Sequence, residues 1–361
     1  MTLRPLAACS GYVTEPRTPW LTPRLDLGIR TLVRDRHIPW DRATLRRDAL
    51  AGLTIVGPSL AVALLVAQHA GLPVFATLLC AVVGSLVVAL LGGMKFGLSG
   101  PGLAMGLVLA ELARTHGPSG LALACGLTGL FQLVLGGLGL GRFARIVPLT
   151  AVHAFTLGVG LLVVVRCLPQ VLGLDTPANL DALHVIDHVG AHLGETRWPA
   201  LLIAALTLAV LLAGAAHARK FPIALLLIAI AATVTGLTGL DIPTLPEAPV
   251  VLAGPEAPDH GGAQFVGSLV VLFALAVVET LLSTTADEEQ TGTRNDLSQD
   301  LIGHGAANIV MSILGGVPVA GSILRTAAMR RTTAETRWAV IFHALIGGAL
   351  VPVIVFYGEF I

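Results

Sequence analysis

The chain has 361 residues, 55% of them hydrophobic and 12% charged, with a formal net charge of zero. A soluble domain carries about 25% charged residues, so this composition excludes an ordinary water-soluble domain and implies a polytopic helical membrane protein. No basic tract with interleaved aromatics occurs, which excludes a nucleic-acid binder. No phosphate-binding GxxxxGK[ST] and no nucleophile–base pattern is present, so neither ATP-driven transport nor an enzyme is expected.

Residues 1–48 are polar and hold nine Arg and no Lys. They contain no apolar h-region, so they read as a cytoplasmic tail rather than a signal peptide, helical near Trp40–Asp48. Ala49 to Met94 contains no Asp, Glu, Lys or Arg. That run has room for two spans, near 50–70 and 74–93, divided at Gly71-Leu72-Pro73. Lys95 returns the chain to the inside. Gly97-Leu98-Ser99-Gly100-Pro101-Gly102 then interrupts any helix. The helix that follows, 102–113, would measure about 18 Å at about 1.5 Å per residue. It cannot cross a hydrocarbon core of about 30 Å and reads as a half-helix starting near mid-membrane.

Further spans are expected at 119–140, 147–168, 198–215 and 221–239, with polar outer loops at 169–197 and 240–262. Gly137 and Gly141 supply the small-residue spacing that lets membrane helices approach. Arg166 is expected to snorkel from its span. His184, His188 and His192 would share one face of a helix and could hold a metal, but a solvated interfacial helix is the preferred reading and no metal is expected. The four cysteines, Cys9, Cys80, Cys125 and Cys167, form no CxxC pair and read as reduced thiols. Spans at 264–285 and 298–313 follow, joined by Asp287–Asp296 as a solvated cytoplasmic turn. A second break comes at Gly315-Gly316-Val317-Pro318-Val319-Ala320-Gly321, with a half-helix at 321–331 and a last span at 338–357.

The two breaks repeat one pattern. Ser59, in the first span, lies 43 residues before Gly102, and Glu279, in mid-span, lies 43 residues before Ser322. The order span, span, break, half-helix, span therefore occurs twice, with opposite orientation. Inverted repeats with paired broken helices are the signature of secondary transporters, with the substrate at the repeat interface. The expected division is a tail at 1–48, a first repeat at 49–240, an extracytoplasmic loop at 241–263 and a partial second repeat at 264–361.

Two half-helix N-termini facing each other bring unpaired N–H donors and about half a positive charge each. Arg325, after 24 residues free of Asp, Glu, Lys and Arg, would add a full charge. Such a cavity suits a small oxyanion, and Ser99 and Ser322 add hydroxyls. A carboxylate at mid-membrane costs about 2.5–3.5 kcal/mol. Glu279 is therefore expected either to titrate or bind a cation as the anion enters, or to form a static pair with Arg325.

The runs Glu279-Thr280-Leu281-Leu282-Ser283, Thr291-Gly292-Thr293-Arg294 and Gln299-Asp300-Leu301-Ile302-Gly303-His304-Gly305-Ala306-Ala307-Asn308, with Gly315-Gly316-Val317-Pro318 and Arg325-Thr326, resemble the SulP (sulfate permease) family of anion transporters. Asp48-Ala49-Leu50-Ala51-Gly52-Leu53-Thr54 and Ser99-Gly100-Pro101 resemble its first-half motifs. The resemblance implies an all-α fold of two inverted seven-segment repeats, a core and a gate domain, and an elevator-like motion. It also implies anion binding at Ser99, Gly102, Leu103, Gly321, Ser322 and Arg325. Glu279 and Ser283 would couple a driving ion, and Ser59 would face the site from the first span. The family's last segments and its STAS domain are not found, so a truncated member with an incomplete second repeat is expected.

The expected function is secondary active transport of a small inorganic anion, sulfate first and bicarbonate next, coupled to protons or sodium in the cell membrane with the N-terminus cytoplasmic. The alternatives are a non-transporting truncated partner of a full-length transporter and a nucleobase permease of related fold. No cofactor is expected. The expected partners are the anion, the coupling ion, the lipid bilayer and, as an option, a second copy in a homodimer.

Overall fold

The computed structural model describes residues 41–102, 104–146, 148–175, 181–217, 221–240, 253–257 and 261–356. Helix α1 (Arg42–Ala70) starts where the Asp41 carboxylate accepts the Thr44 N–H (2.6 Å) and stops at Gly71 in the left-handed conformation. It begins earlier than the first expected span, and Asp48, expected in the tail, is fully buried within it. The Asp48 carboxylate accepts the N–H groups of Glu335 (2.7 Å) and Thr336 (3.2 Å) ahead of the last helix. Pro73 opens α2 (Val74–Leu91), which ends before the first break.

Helix α3 (Gly106–Gly137) is two helices joined at a kink. Gly117 carries non-helical angles (φ 64°, ψ −171°) and Pro118 starts the second piece. The first piece is the expected half-helix, though it begins at Gly106 rather than 102. A turn of 3₁₀ helix (Leu140–Ile146) leads to α4 (Leu149–Leu172), α5 (Ala182–Ala191), α6 (Trp198–His217) and α7 (Ile223–Thr238). The second half contributes α8 (Gly262–Thr291), α9 (Leu297–Ile313), α10 (Ile323–Arg330) and α11 (Trp338–Phe356). Among the described residues six helices, α1, α2, α3, α4, α8 and α11, are long and apolar enough to cross a membrane.

Helices α1, α2, α3 and α8–α11 pack into one body, in which α9 lies against α3 and α2, and α11 against α1 and α2. Glycine makes the closest crossings. A Cβ on Gly129 of α3 would stand 2.6 Å from the Gly305 carbonyl of α9, and one on Gly305 would stand 2.7 Å from the Gly129 carbonyl. Gly141 meets the backbone of Leu297 in the same way, whereas Gly137 faces open space. Helices α4–α7 pack mainly on one another and touch this body along α1 and α8.

Two expectations give way. Asp287 is not in a solvated turn. Helix α8 runs on past residue 285, and the buried Asp287 carboxylate receives two hydrogen bonds from Arg330 of α10 (2.7 and 2.6 Å). Arg166 is buried rather than snorkelling, within electrostatic reach of the Asp181 carboxylate that caps α5.

Candidate functional site

The breaks find each other as strands. Each must satisfy its backbone away from water, and β1 (Ser99–Gly100) pairs antiparallel with β2 (Ala320–Gly321), Ser99 opposite Gly321 and Gly100 opposite Ala320. Ser322 N–H extends the pairing to the Leu98 carbonyl (3.0 Å). The Ser85 hydroxyl of α2 accepts the Ser99 N–H (3.1 Å) and donates to the Ser99 carbonyl (3.0 Å).

A cavity opens beside this pair. Gly100, Pro101 and Gly102 line it from the first break, Ala320, Gly321 and Ser322 from the second, and Ile323 and Leu324 from the start of α10. Glu279 of α8, Val62 of α1 and Phe155, Thr156 and Val159 of α4 complete the walls. It offers about 40 Å³ to the centres of water-sized solutes, whereas one water needs about 10–15 Å³ by that measure. A few waters, or one small polyatomic solute, fit.

Donors converge on it. Ser322 caps α10, its hydroxyl oxygen accepting the Arg325 N–H (3.4 Å), which leaves the hydroxyl proton free to donate. The first N–H groups of a helix have no intrahelical acceptor, and Ile323 and Leu324, which carry two of them, line the cavity. Gly102 is closely approached, since a Cβ there would fall 1.9 Å from Glu279 Oε2 and would displace the carboxylate. The Glu279 carboxylate, 6% exposed, also faces the Ala104 N–H. A carboxylate of the chain itself thus holds the approach to α3, and the backbone turns through Ala104 and Met105 before the helix begins at Gly106.

The structure places Glu279, Gly102, Gly321 and Ser322 on one cavity. Arg325 is not on its wall. The buried guanidinium donates to the Ser99 (2.8 Å) and Pro101 (3.5 Å) carbonyls of the first break. It makes no ion pair with Glu279 within 4.0 Å, so the static pair between them is not formed. The Ser99 hydroxyl donates to the Ala320 carbonyl (3.3 Å) instead of facing the cavity. Ser283 packs its Cβ position against Gly321, and its hydroxyl and that of buried Ser59 have no partner among the described residues. Leu103 lies outside the described residues. Sequence reasoning missed the α4 wall. Phe155, Thr156 and Val159 are ordinary in an apolar span, and nothing in their spacing marks them.

The three histidines of the outer loop fall on α5 and in the residue after it. Asp181 caps that helix, and the His184 N–H bond, followed by the His184 side chain, holds the Asp181 carboxyl below the usual carboxylate range. His188 and His192 stack at 4.2 Å, with His188 near the Asp175 carbonyl (3.1 Å) and His192 near the His188 carbonyl (2.8 Å). Each imidazole is engaged by its own loop, and no metal-binding group of three such side chains forms among the described residues.

An all-α membrane protein built on an inverted repeat, with two interrupted helices meeting at one cavity, is the class that this geometry defines. The chain belongs to the sulfate permease family, whose pattern matches residues 45–361. It is 25% identical over 314 residues to YvdB of Bacillus subtilis, covering 83% of this chain and 58% of that protein. It is 25% identical over 281 residues to the bicarbonate transporter BicA of Synechocystis sp., covering 74% of this chain and 49% of that protein. The chain thus spans about half the length of these curated relatives. Among solved structures it is similar in fold to the transmembrane domain of a cyanobacterial BicA, with a TM-score of 0.73 at 21% identity over 89% of this chain and 86% of that one. It is also similar to SLC26A9, with a TM-score of 0.73 at 16% identity over 92% of this chain and 57% of that one.

Proposed function

We propose that this chain moves a small inorganic anion across the cell membrane by secondary active transport, sulfate first and bicarbonate next, coupled to protons or sodium through Glu279. The observation that carries this reading is a cavity shared by both breaks, where Ser322, Gly102 and the first residues of α10, Ile323 and Leu324, surround a space of about 40 Å³. The volume and the donors suit a small oxyanion better than a nucleobase, which needs a larger cleft. Membership of a family named for sulfate and similarity to a bicarbonate transporter support the same substrate class.

Glu279 supports the coupling. Its carboxylate sits at the approach to α3, where it competes with an arriving anion for the same positive helix end. Protonation, or a bound cation, would remove that competition, which ties anion entry to the driving ion. Gly321, Ser322 and Gly102 form the anion cradle in this reading. Arg325 and Ser99 act behind it, Arg325 by holding the first break and lending charge, and Ser283 and Ser59 stand as secondary polar contacts. On this reading the tail is cytoplasmic, residues 49–240 form the first repeat and residues 264–361 part of the second, and α4–α7 are the body against which the rest slides.

Uptake of radiolabelled sulfate and bicarbonate into proteoliposomes, under imposed proton or sodium gradients, tests the reading. Wild-type protein accumulates at least one of them against its gradient. The Glu279→Gln variant still equilibrates the anion but loses accumulation driven by the coupling ion. Full gradient-driven accumulation by that variant removes Glu279 from the coupling, and a wild type that moves neither anion removes the function.

A further inference from the structure

The second break has two edges. One pairs with β1, and the other faces side chains. Along that second edge the chain is extended, and an extended chain presents the polar groups of every second residue to the same side. Residues 317, 319 and 321 are the ones that turn this way, and each meets a side chain from a different helix. Val317 gives its N–H to Cys80 Sγ of α2 (2.9 Å), and its carbonyl accepts from the same thiol (3.0 Å). Gly321 gives its N–H to Thr280 Oγ1 of α8 (3.2 Å).

Between them stands Asn308 of α9, fully buried. Its Oδ1 accepts the Val319 N–H (2.7 Å), and its Nδ2 donates to the Val319 carbonyl (2.9 Å). One side-chain amide thus does for Val319 what a neighbouring strand would do. Nδ2 also donates to Gln132 Oε1 of α3 (2.8 Å), and Cys125 Sγ lies 3.2 Å from the Asn308 carbonyl. The Val319 N–H and carbonyl fix which end of the Asn308 amide is nitrogen, because a flipped amide would set nitrogen against the N–H and oxygen against the carbonyl.

Val319 lies three residues before Ser322, which caps α10 and lines the cavity. We propose that Asn308 is a positioning residue for the anion site. It sets the place of Ser322 and of the α10 N-terminus without touching the anion, and the Gln132 side-chain carbonyl, accepting from Nδ2, holds the amide in place. This inference rests on reading the cavity as the anion site. A hydrophobic side chain at 308 would leave both polar groups of Val319 unpaired in the interior, and the strand would shift to find other partners.

The test uses the full chain in lipid nanodiscs and proteoliposomes, with wild type, Asn308→Ala and Asn308→Asp. The Asp variant keeps the acceptor for the Val319 N–H and loses the donor that both the Val319 carbonyl and Gln132 use. Sulfate and bicarbonate uptake give KM and maximal rate, and amide hydrogen exchange is followed across residues 315–326. The expected result is a tenfold or larger rise in KM in both variants, with the maximal rate per folded protein within about threefold of wild type. Exchange at 317–323 is faster, and exchange in α1 and α11 is unchanged. If Asn308→Ala does not fold, Gln132→Leu, which removes only the acceptor that restrains Nδ2, carries the same comparison with a smaller shift. An unchanged KM alongside faster exchange, or unchanged exchange, overturns the inference and leaves the transport reading standing. Wild-type protein that takes up neither anion overturns the transport reading and this inference with it.

Discussion

Gly100 shows how tightly the first break is fitted to Arg325. A Cβ there would stand 1.6 Å from Arg325 Nη1, and the guanidinium cannot withdraw without leaving the Ser99 carbonyl at 2.8 Å. Gly100→Ala is therefore expected to destabilise the fold by about 1–3 kcal/mol, the usual cost of overpacking, and to reduce anion uptake. Gly106→Ala, with nothing within 4 Å of its new methyl, should leave both unchanged. Thermal unfolding in detergent and the uptake assay check this; a Gly100→Ala protein with wild-type Tm would show that Arg325 is free to move. Arg325 is also where the residue scale parts from the sequence. Its depth could be read from the uncharged run before it, but its direction is decided by two backbone carbonyls 224 and 226 positions away.

At the scale of elements, the half-helices and their breaks were legible because Gly and Pro interrupt an apolar run whatever surrounds it. Most expected span limits fall within a few residues of helix ends, although α1 starts eight residues early and α6, α7 and α9 are not among the six helices long and apolar enough to cross a membrane. Two departures have local causes. The start of α3 moves to Gly106 because Glu279, distant in sequence, stands against Gly102. Helix α8 outruns its apolar stretch because Arg330 gives Asp287 a buried partner. Helix crossings yield a separate expectation. Gly129 and Gly305 place the backbones of α3 and α9 in contact, so Gly305→Ala should cost about 1–3 kcal/mol. Gly137→Ala, in open space, should cost nothing measurable. Equal melting temperatures for the two variants would mean that this crossing relaxes freely.

For the whole molecule, the proposed transport requires α4–α7 to move against the larger body. Their contact with α8 and α10 runs through Val152 and Phe155 against Leu282, Ala286 and Ile323. His153 adds a hydrogen-bonded contact to Glu289 at 3.1 Å. That pair is well exposed, and exposed pairs contribute little, so the seam is held mainly by a few apolar side chains. A disulfide joining Val152→Cys to Ala286→Cys should halt uptake, and a reductant should restore it. Undiminished uptake by the oxidised protein would show that this seam need not open. Such a seam leaves no mark in a sequence, because apolar residues facing lipid and apolar residues facing another helix are the same residues.

The strand pair between residues 99–100 and 320–321 has a consequence for cargo handling. Hydrogen bonds lock the two helix ends to each other, so in the proposed transport a solute resting between them would travel in a holder whose shape does not depend on which side of the membrane it faces. Loading and release must then be governed by what covers the holder. The covering wall is the stretch of α4 bearing Phe155, Thr156 and Val159.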